Sequence, residues 1–218
     1  MVTVNQHAEI TLRESLRQPA WHVIALSVLT CCSYLFYWFY KTWRDLQAYA
    51  HDRATDPGSP LSHFAGISPP LRTLGLLLPL VNFLFGIILP RLLVLTMGVM
   101  FSILALYFCV TLIYGIARLH PNAASFARRR APLATGLIVL GLVGFTSLAK
   151  LADPFWLLSF GCCVPLAIVQ SWLNAYWRSV EDTELAVRQA FTIKEILAII
   201  VGSLLLGLVL ANLLGVAR

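Results

Sequence analysis

The groups in this chain that could do chemistry are five cysteines, a few amides at mid-span depth, and a block of aromatic and basic side chains. Cys31, Cys32, Cys109, Cys162 and Cys163 would offer soft thiolate ligands or a redox pair. None stands in a CxxC or Cys/His spacing suited to zinc, and neighbours such as Cys31 and Cys32 point to different sides of a helix. They are expected to be small apolar packing residues, with no disulfide framework, no metal and no cofactor. Asn82, Gln170 and Asn174 fall well inside apolar runs, where amides are candidates for a pore or a polar path. Tyr37, Trp38, Lys41, Trp43 and Arg44 close the first apolar run with rings and then cations, as a transmembrane helix does when it leaves a bilayer. They are the candidate interfacial anchor, and Tyr37, Lys41 and Arg44 share one helical stripe that could dock a partner. Arg128, Arg129 and Arg130 form a juxtamembrane cluster suited to anionic lipid headgroups. HExxH, GxSxG and Walker motifs are missing, and the carboxylates sit in loops and helix starts, so no catalytic residues and no enzyme are expected.

The elements that must carry these groups follow from composition. Of 218 residues, 59% are hydrophobic and only 12% charged, and the mean hydropathy is +0.78. A soluble domain carries about 25% charge, so a membrane protein is the class that fits. At roughly 20 residues per crossing the pattern is an all-α, polytopic transmembrane bundle of about six spans. They are expected over about 20–40, 71–89, 92–117, 132–149, 154–177 and 196–216, after a short polar segment over 1–19. Five spans remain if 71–89 is re-entrant, because Pro79 and Asn82 in that run could mark a broken helix. Residues 47–70 hold Asp56-Pro57-Gly58-Ser59-Pro60 and read as a loop. Polar residues precede the first apolar run and no small-residue cleavage site follows it, so that span is expected to be retained.

Local signals sharpen the boundaries. Thr11 with Glu14 and Thr192 with Glu195 have the form of capping boxes, the second opening the last span. Pro132 is expected in the first turn of span four, and Asp153-Pro154 as the start of span five. Gly141 and Gly144, and Ser203, Gly207 and Ala211 at four-residue spacing, provide small faces for close helix approach. With six spans, Arg13, Arg17, Arg91, Lys150 and Arg218 lie on one side and the remaining eleven of the 16 Lys and Arg on the other. The positive-inside rule makes the richer side cytoplasmic and places both termini outside. The net charge of +6 is scattered between apolar runs rather than lining a face, which excludes nucleic acid as a partner.

Three segments carry a resemblance: Y-x-F-Y-W-F-Y-K-x-W-R-D-L from Tyr34 to Leu46, S-P-x-L-R from Ser68 to Arg72, and F-T-x-x-E from Phe191 to Glu195. The chain resembles small, mostly bacterial integral membrane proteins grouped as a domain of unknown function. The resemblance implies a multi-pass protein of a plasma or inner membrane and brings no assigned reaction. The expected role is a non-catalytic scaffold, assembly factor or subunit, with the bilayer, other membrane proteins or anionic lipids as partners. A small-solute or lipid transporter or channel is the alternative.

Overall fold

The computed structural model describes residues 18–30, 32–53, 60–66, 68–85, 90–120, 127–146, 157, 160–180 and 191–213. Those residues form seven α-helices and no strand: α1 Ala20–Leu29, α2 Tyr34–Arg53, α3 Pro69–Phe85, α4 Arg91–Leu119, α5 Ala127–Thr146, α6 Cys163–Val180 and α7 Ile193–Leu213, with a 3-10 turn at Pro60–Phe64. The second capping box is present: the Thr192 N–H donates to Glu195 Oε2 at 2.8 Å, and the Glu195 N–H to Thr192 Oγ1 at 3.3 Å. Two orphan donors at the start of α7 are thereby satisfied. Thr11 and Glu14 lie outside the described residues.

The single helix expected over 20–40 is instead a hairpin. Gln18, just ahead of α1, lies beside Trp38, Lys41, Thr42, Asp45 and Leu46 of α2 around a cavity of about 10 Å³. A continuous helix would hold Gln18 and Trp38 about 30 Å apart. Hence α1 runs inward, the chain turns at Thr30–Ser33, and α2 runs back beside it. The turn contains neither Pro nor Gly among its described residues, and it closes because its polar groups find local partners. Thr30 Oγ1 donates to Leu26 O at 2.7 Å and accepts from the Tyr34 N–H at 3.0 Å. Ser33 Oγ donates to Thr30 O at 2.8 Å, and the Cys32 N–H reaches back to Ser27 O at 2.6 Å. Cys32 takes a φ of 66°, the left-handed region that costs a β-carbon roughly 1–2 kcal/mol.

The other helices pack round this hairpin. α6 runs parallel to α2, since Cys32 meets Cys163, Trp38 meets Gln170 and Tyr49 meets Trp177 edge to face. α7 runs parallel to α1, with Phe191 stacked on His22 at one end and Gly202 against Leu29 and Thr30 at the other. α3 and α4 form an antiparallel pair in which Gly75 admits the Phe108 ring and Gly115 the Phe64 ring. The core is the C-terminal half of α4 (Phe108, Leu112, Ile113, Ile116) with Leu35, Phe39 and Leu46 of α2 and Leu166, Val169 and Trp172 of α6. Outward, α4 exposes Leu92, Met100 and Ile103, and α7 exposes Ile193, Leu197, Val201 and Leu204. Thr96–Leu119 of α4 is the one described stretch long and apolar enough to cross a membrane as a single helix.

Several boundaries differ from those the sequence suggests. α2 continues to Arg53, so the loop expected from residue 47 begins later. α3 runs unbroken through Pro79, which removes the expected break there; the side chain of Asn82 lies outside the described ones. α5 starts at Ala127, and Pro132 sits inside it rather than in its first turn. α6 starts at Cys163, and Asp153-Pro154 lies outside the described residues. The close-approach position on α7 is Gly202, not Gly207: a Cβ on Gly202 would stand 2.5 Å from Leu29 O, whereas one on Gly207 meets nothing within 4 Å. Ser203 is exposed.

Gly202→Ala should therefore destabilise the protein by roughly 1–3 kcal/mol, because the atoms it meets are backbone and cannot swing away. Gly207→Ala should leave stability equal or slightly raised, since alanine is the better helix former. Thermal unfolding of the two purified variants measures both.

Candidate functional site

The sequence features that build the site are the weak helix formers at Thr30–Ser33 and the acidic cap of α7. Ser and Thr offer the backbone alternatives to helix bonds, which is what ends α1 and starts α2 here. Beside the turn lies a cavity of about 290 Å³ lined by Thr30, Ser33, Tyr34, Tyr37, Glu195, Ala198, Val201 and Gly202. Its wall is mostly apolar, with hydroxyl groups on the hairpin side. Glu195, only 2% exposed, is the one carboxylate on that wall, held by the capping-box bond to the Thr192 N–H. An apolar cavity with a few convergent polar groups is what small-molecule sites look like.

A buried polar network also ties three elements together, and Tyr34, which lines the cavity, belongs to it. Trp38 Nε1 donates to Gln170 Oε1 at 2.7 Å, Gln170 Nε2 donates to Asn174 Oδ1 at 2.9 Å, and Asn174 Nδ2 donates to Gln18 O at 3.0 Å. Tyr34 OH closes the set by donating to Gln18 Oε1 at 2.8 Å. Gln170 and Asn174 are one turn apart on α6, so their amides meet along the helix and present the remaining groups to the hairpin. Gln18 Nε2 has no hydrogen-bond partner among the described residues, and the cavity of about 10 Å³ beside it has room for one water.

A third cluster joins the turn itself. The sulfurs of Cys32, Cys162 and Cys163 lie within 4.8 Å of one another, all buried, with Cys32 Sγ 3.8 Å from Cys163 Sγ. Sequence spacing treats these residues as separate packing groups, yet the fold brings three of the five together. The signal available beforehand was that both Cys-Cys pairs precede a Tyr-Trp pair and a Trp-Arg pair in similar order.

The aromatic-basic block is divided by the fold. Trp38 and Trp43 are each 1% exposed, so these indoles face the bundle rather than a headgroup layer. Lys41 is also buried, and the stripe it was expected to share at the surface reduces to Tyr37 and Arg44. The Arg44 fork is engaged by Asp45, with Nε and NH2 at 2.9 and 2.7 Å from Oδ1. Trp43 is covered by Arg72, whose guanidinium carbon stands 3.7 Å from the ring centroid. Buried Arg72 has no hydrogen-bond partner at Nε or Nη1 among the described residues. Burial, with Arg72 and Arg118 nearby, holds the pKa of the His63 imidazole below its ordinary value. Arg129 and Arg130 are exposed at the start of α5, and the Arg128 side chain lies outside the described ones.

Trp38→Phe keeps an aromatic ring but removes the indole N–H, leaving Gln170 Oε1 buried without its donor. The expected cost is at least roughly 1–3 kcal/mol, more than the loss of one exposed hydrogen bond. Thermal unfolding checks this, and a Trp38→Phe, Gln170→Leu double variant should cost less than the sum of the two single variants, because the two changes remove the same bond.

The chain matches neither a curated protein nor a solved structure. The family described as Domain of unknown function (DUF4234) matches residues 18–211, from the glutamine that opens the buried network to the last turn of α7. This chain belongs to that family.

Proposed function

We propose that this chain is a non-catalytic, multi-pass integral membrane protein with one re-entrant hairpin and five crossings. We further propose that it binds a small, mostly apolar solute or a lipid segment in the cavity beside the hairpin. The observation that carries the reading is the hairpin. α1 is 10 residues, about 15 Å, and its turn meets α7 at Gly202, near the middle of a 21-residue helix about 32 Å long. A hairpin that turns at half the depth of a bilayer-length helix, with a cavity at the turn, is the arrangement by which membrane proteins admit a ligand to mid-depth.

Two further facts support it. The outward faces of α4 and α7 are apolar and open, which hydrocarbon tolerates and water does not. Charge also falls into place: with a re-entrant first element, Arg13 and Arg17 join the eleven cations already on the richer side, leaving only Arg91, Lys150 and Arg218 opposite. Thirteen against three is a stronger positive-inside bias than eleven against five, and it puts the N-terminus inside and the C-terminus outside. That replaces the six-span arrangement with both ends out.

A second reading, the scaffold or subunit, rests on α7, which packs chiefly on α1 and leaves Ile193, Ile196, Leu197, Ile200 and Leu204 open along one helix. That face would seat a partner helix in place of lipid.

Impermeant thiol labelling of cysteines added at either terminus should mark the C-terminus from outside intact cells and leave the N-terminus unlabelled. Labelling of both ends would restore six crossings and remove the hairpin from the membrane plane. Native mass spectrometry from mild detergent should then find a small bound molecule that Ala198→Phe, which fills the cavity, displaces. A copurifying protein retained by Ala198→Phe, with no small molecule in wild type, would favour the scaffold.

A further inference from the structure

Three sulfurs converge from two backbone regions more than a hundred residues apart in sequence. Cys32 stands in the turn of the hairpin, Cys162 in the 3-10 turn that precedes α6, and Cys163 at the first position of α6. Adjacent residues on a regular helix diverge, and Cys162 and Cys163 aim their sulfurs at one point because the helix begins between them. The three side chains are 1%, 0% and 4% exposed. Cys32 also holds a φ of 66°, where glycine would be unstrained, so the position keeps a sulfur at the expense of a relaxed backbone.

The spacing matches a metal. Thiolates at about 2.3 Å round a tetrahedral zinc stand about 3.8 Å apart, and three round a trigonal ion with similar bonds stand about 4 Å apart. One pair already stands at 3.8 Å, and the others lie within 4.8 Å, so closure on an ion needs shifts of at most about 1 Å. Among the described residues no histidine or carboxylate joins the set, so the donors are sulfur only. Sulfur-only donors select soft cations over magnesium, calcium or manganese.

We infer that Cys32, Cys162 and Cys163 form a binding site for a soft, thiolate-preferring cation, cuprous copper or zinc, at the turn of the hairpin. Binding exchanges S–H bonds for S–metal bonds and releases the thiol protons to solvent, with no electron transferred, so affinity falls as the pH is lowered. The site joins the hairpin to α6, so an ion there would clamp the turn against the bundle. It stands independently of what the neighbouring cavity holds.

The test uses the full chain, purified in detergent, reduced, stripped of metal and handled without oxygen. Cu(I) and, separately, Zn(II) are added in competition with a chelator of known affinity, and bound metal and thiolate-to-metal absorption in the ultraviolet are read per chain. The expected result is about one equivalent of one ion, with the arm that saturates naming which. Cys162→Ser and Cys163→Ser should each weaken binding at least about tenfold, while Cys109→Ser, buried on α4 away from the cluster, should change nothing. Cys32→Gly is the decisive variant, because the relief of the left-handed residue offsets the loss of the small buried CH2–SH group: binding should be lost while the protein without metal still unfolds near the wild-type temperature. Wild-type chains that bind neither ion, or a Cys32→Gly variant that binds as wild type does, would overturn the site.

Discussion

A turn buried inside a helical bundle has to satisfy its own backbone, and this protein depends on how Thr30 does so. Its hydroxyl stands between Leu26 O and the Tyr34 N–H, in place of the helical bond that the turn removes. Because that bridge closes the hairpin, Gln18 comes level with Asn174, Trp38 with Gln170, and Cys32 with Cys163. Remove the turn and all three meetings become geometrically impossible, since Gln18 and Trp38 would lie about 30 Å apart. The bundle is thus a set of helices arranged on one hairpin rather than a row of equivalent spans.

The hairpin also sorts the chemistry by face. One face carries amides and is closed: every amide of Gln170 and Asn174 that the network uses is engaged, and the space left has room for a single water. Another face carries hydroxyls, Glu195 and apolar wall, and is open to a cavity of about 290 Å³. The sulfurs gather at the turn itself. The residues that look most like a polar path in the sequence, Gln170 and Asn174, are those the fold spends on its own cohesion, and the open space lies beside residues that look ordinary.

How much of this was legible beforehand can be judged residue by residue. That helices lie near the apolar runs on either side of Pro90 was readable, although the starts of α5 and α6 were not, and the Thr192–Glu195 cap was readable because a capping box is a local pattern. The turn between α1 and α2 was not, because helices normally break at Pro or Gly and this one breaks at Thr30–Ser33, where a hydroxyl substitutes for the missing bond. Trp38 and Trp43 misled for a related reason. A belt of rings and a buried ring pair have the same composition, and only the partners Gln170 and Arg72, far along the chain, distinguish them. The same limit hid Gly202 behind Gly207: spacing of small residues gives a stripe but not the side of the helix that meets a neighbour. Cysteine convergence over 131 residues of separation left only the faint echo of the two Cys-Cys pairs and the aromatic pairs that follow them, which says nothing of contact.

That separation has a consequence for how the protein is made. The hairpin emerges early in synthesis, but Gln170 and Asn174 follow 132 and 156 residues behind their partners Trp38 and Gln18. At roughly 5–20 residues per second the interval is on the order of ten seconds. Throughout it, the Gln18 carbonyl, the Trp38 indole N–H and the Cys32 thiol are present without their partners on α6. The bonds that join the hairpin to α6 therefore form only once that helix has been made. Of the described helices, the first two are made long before their principal polar partners.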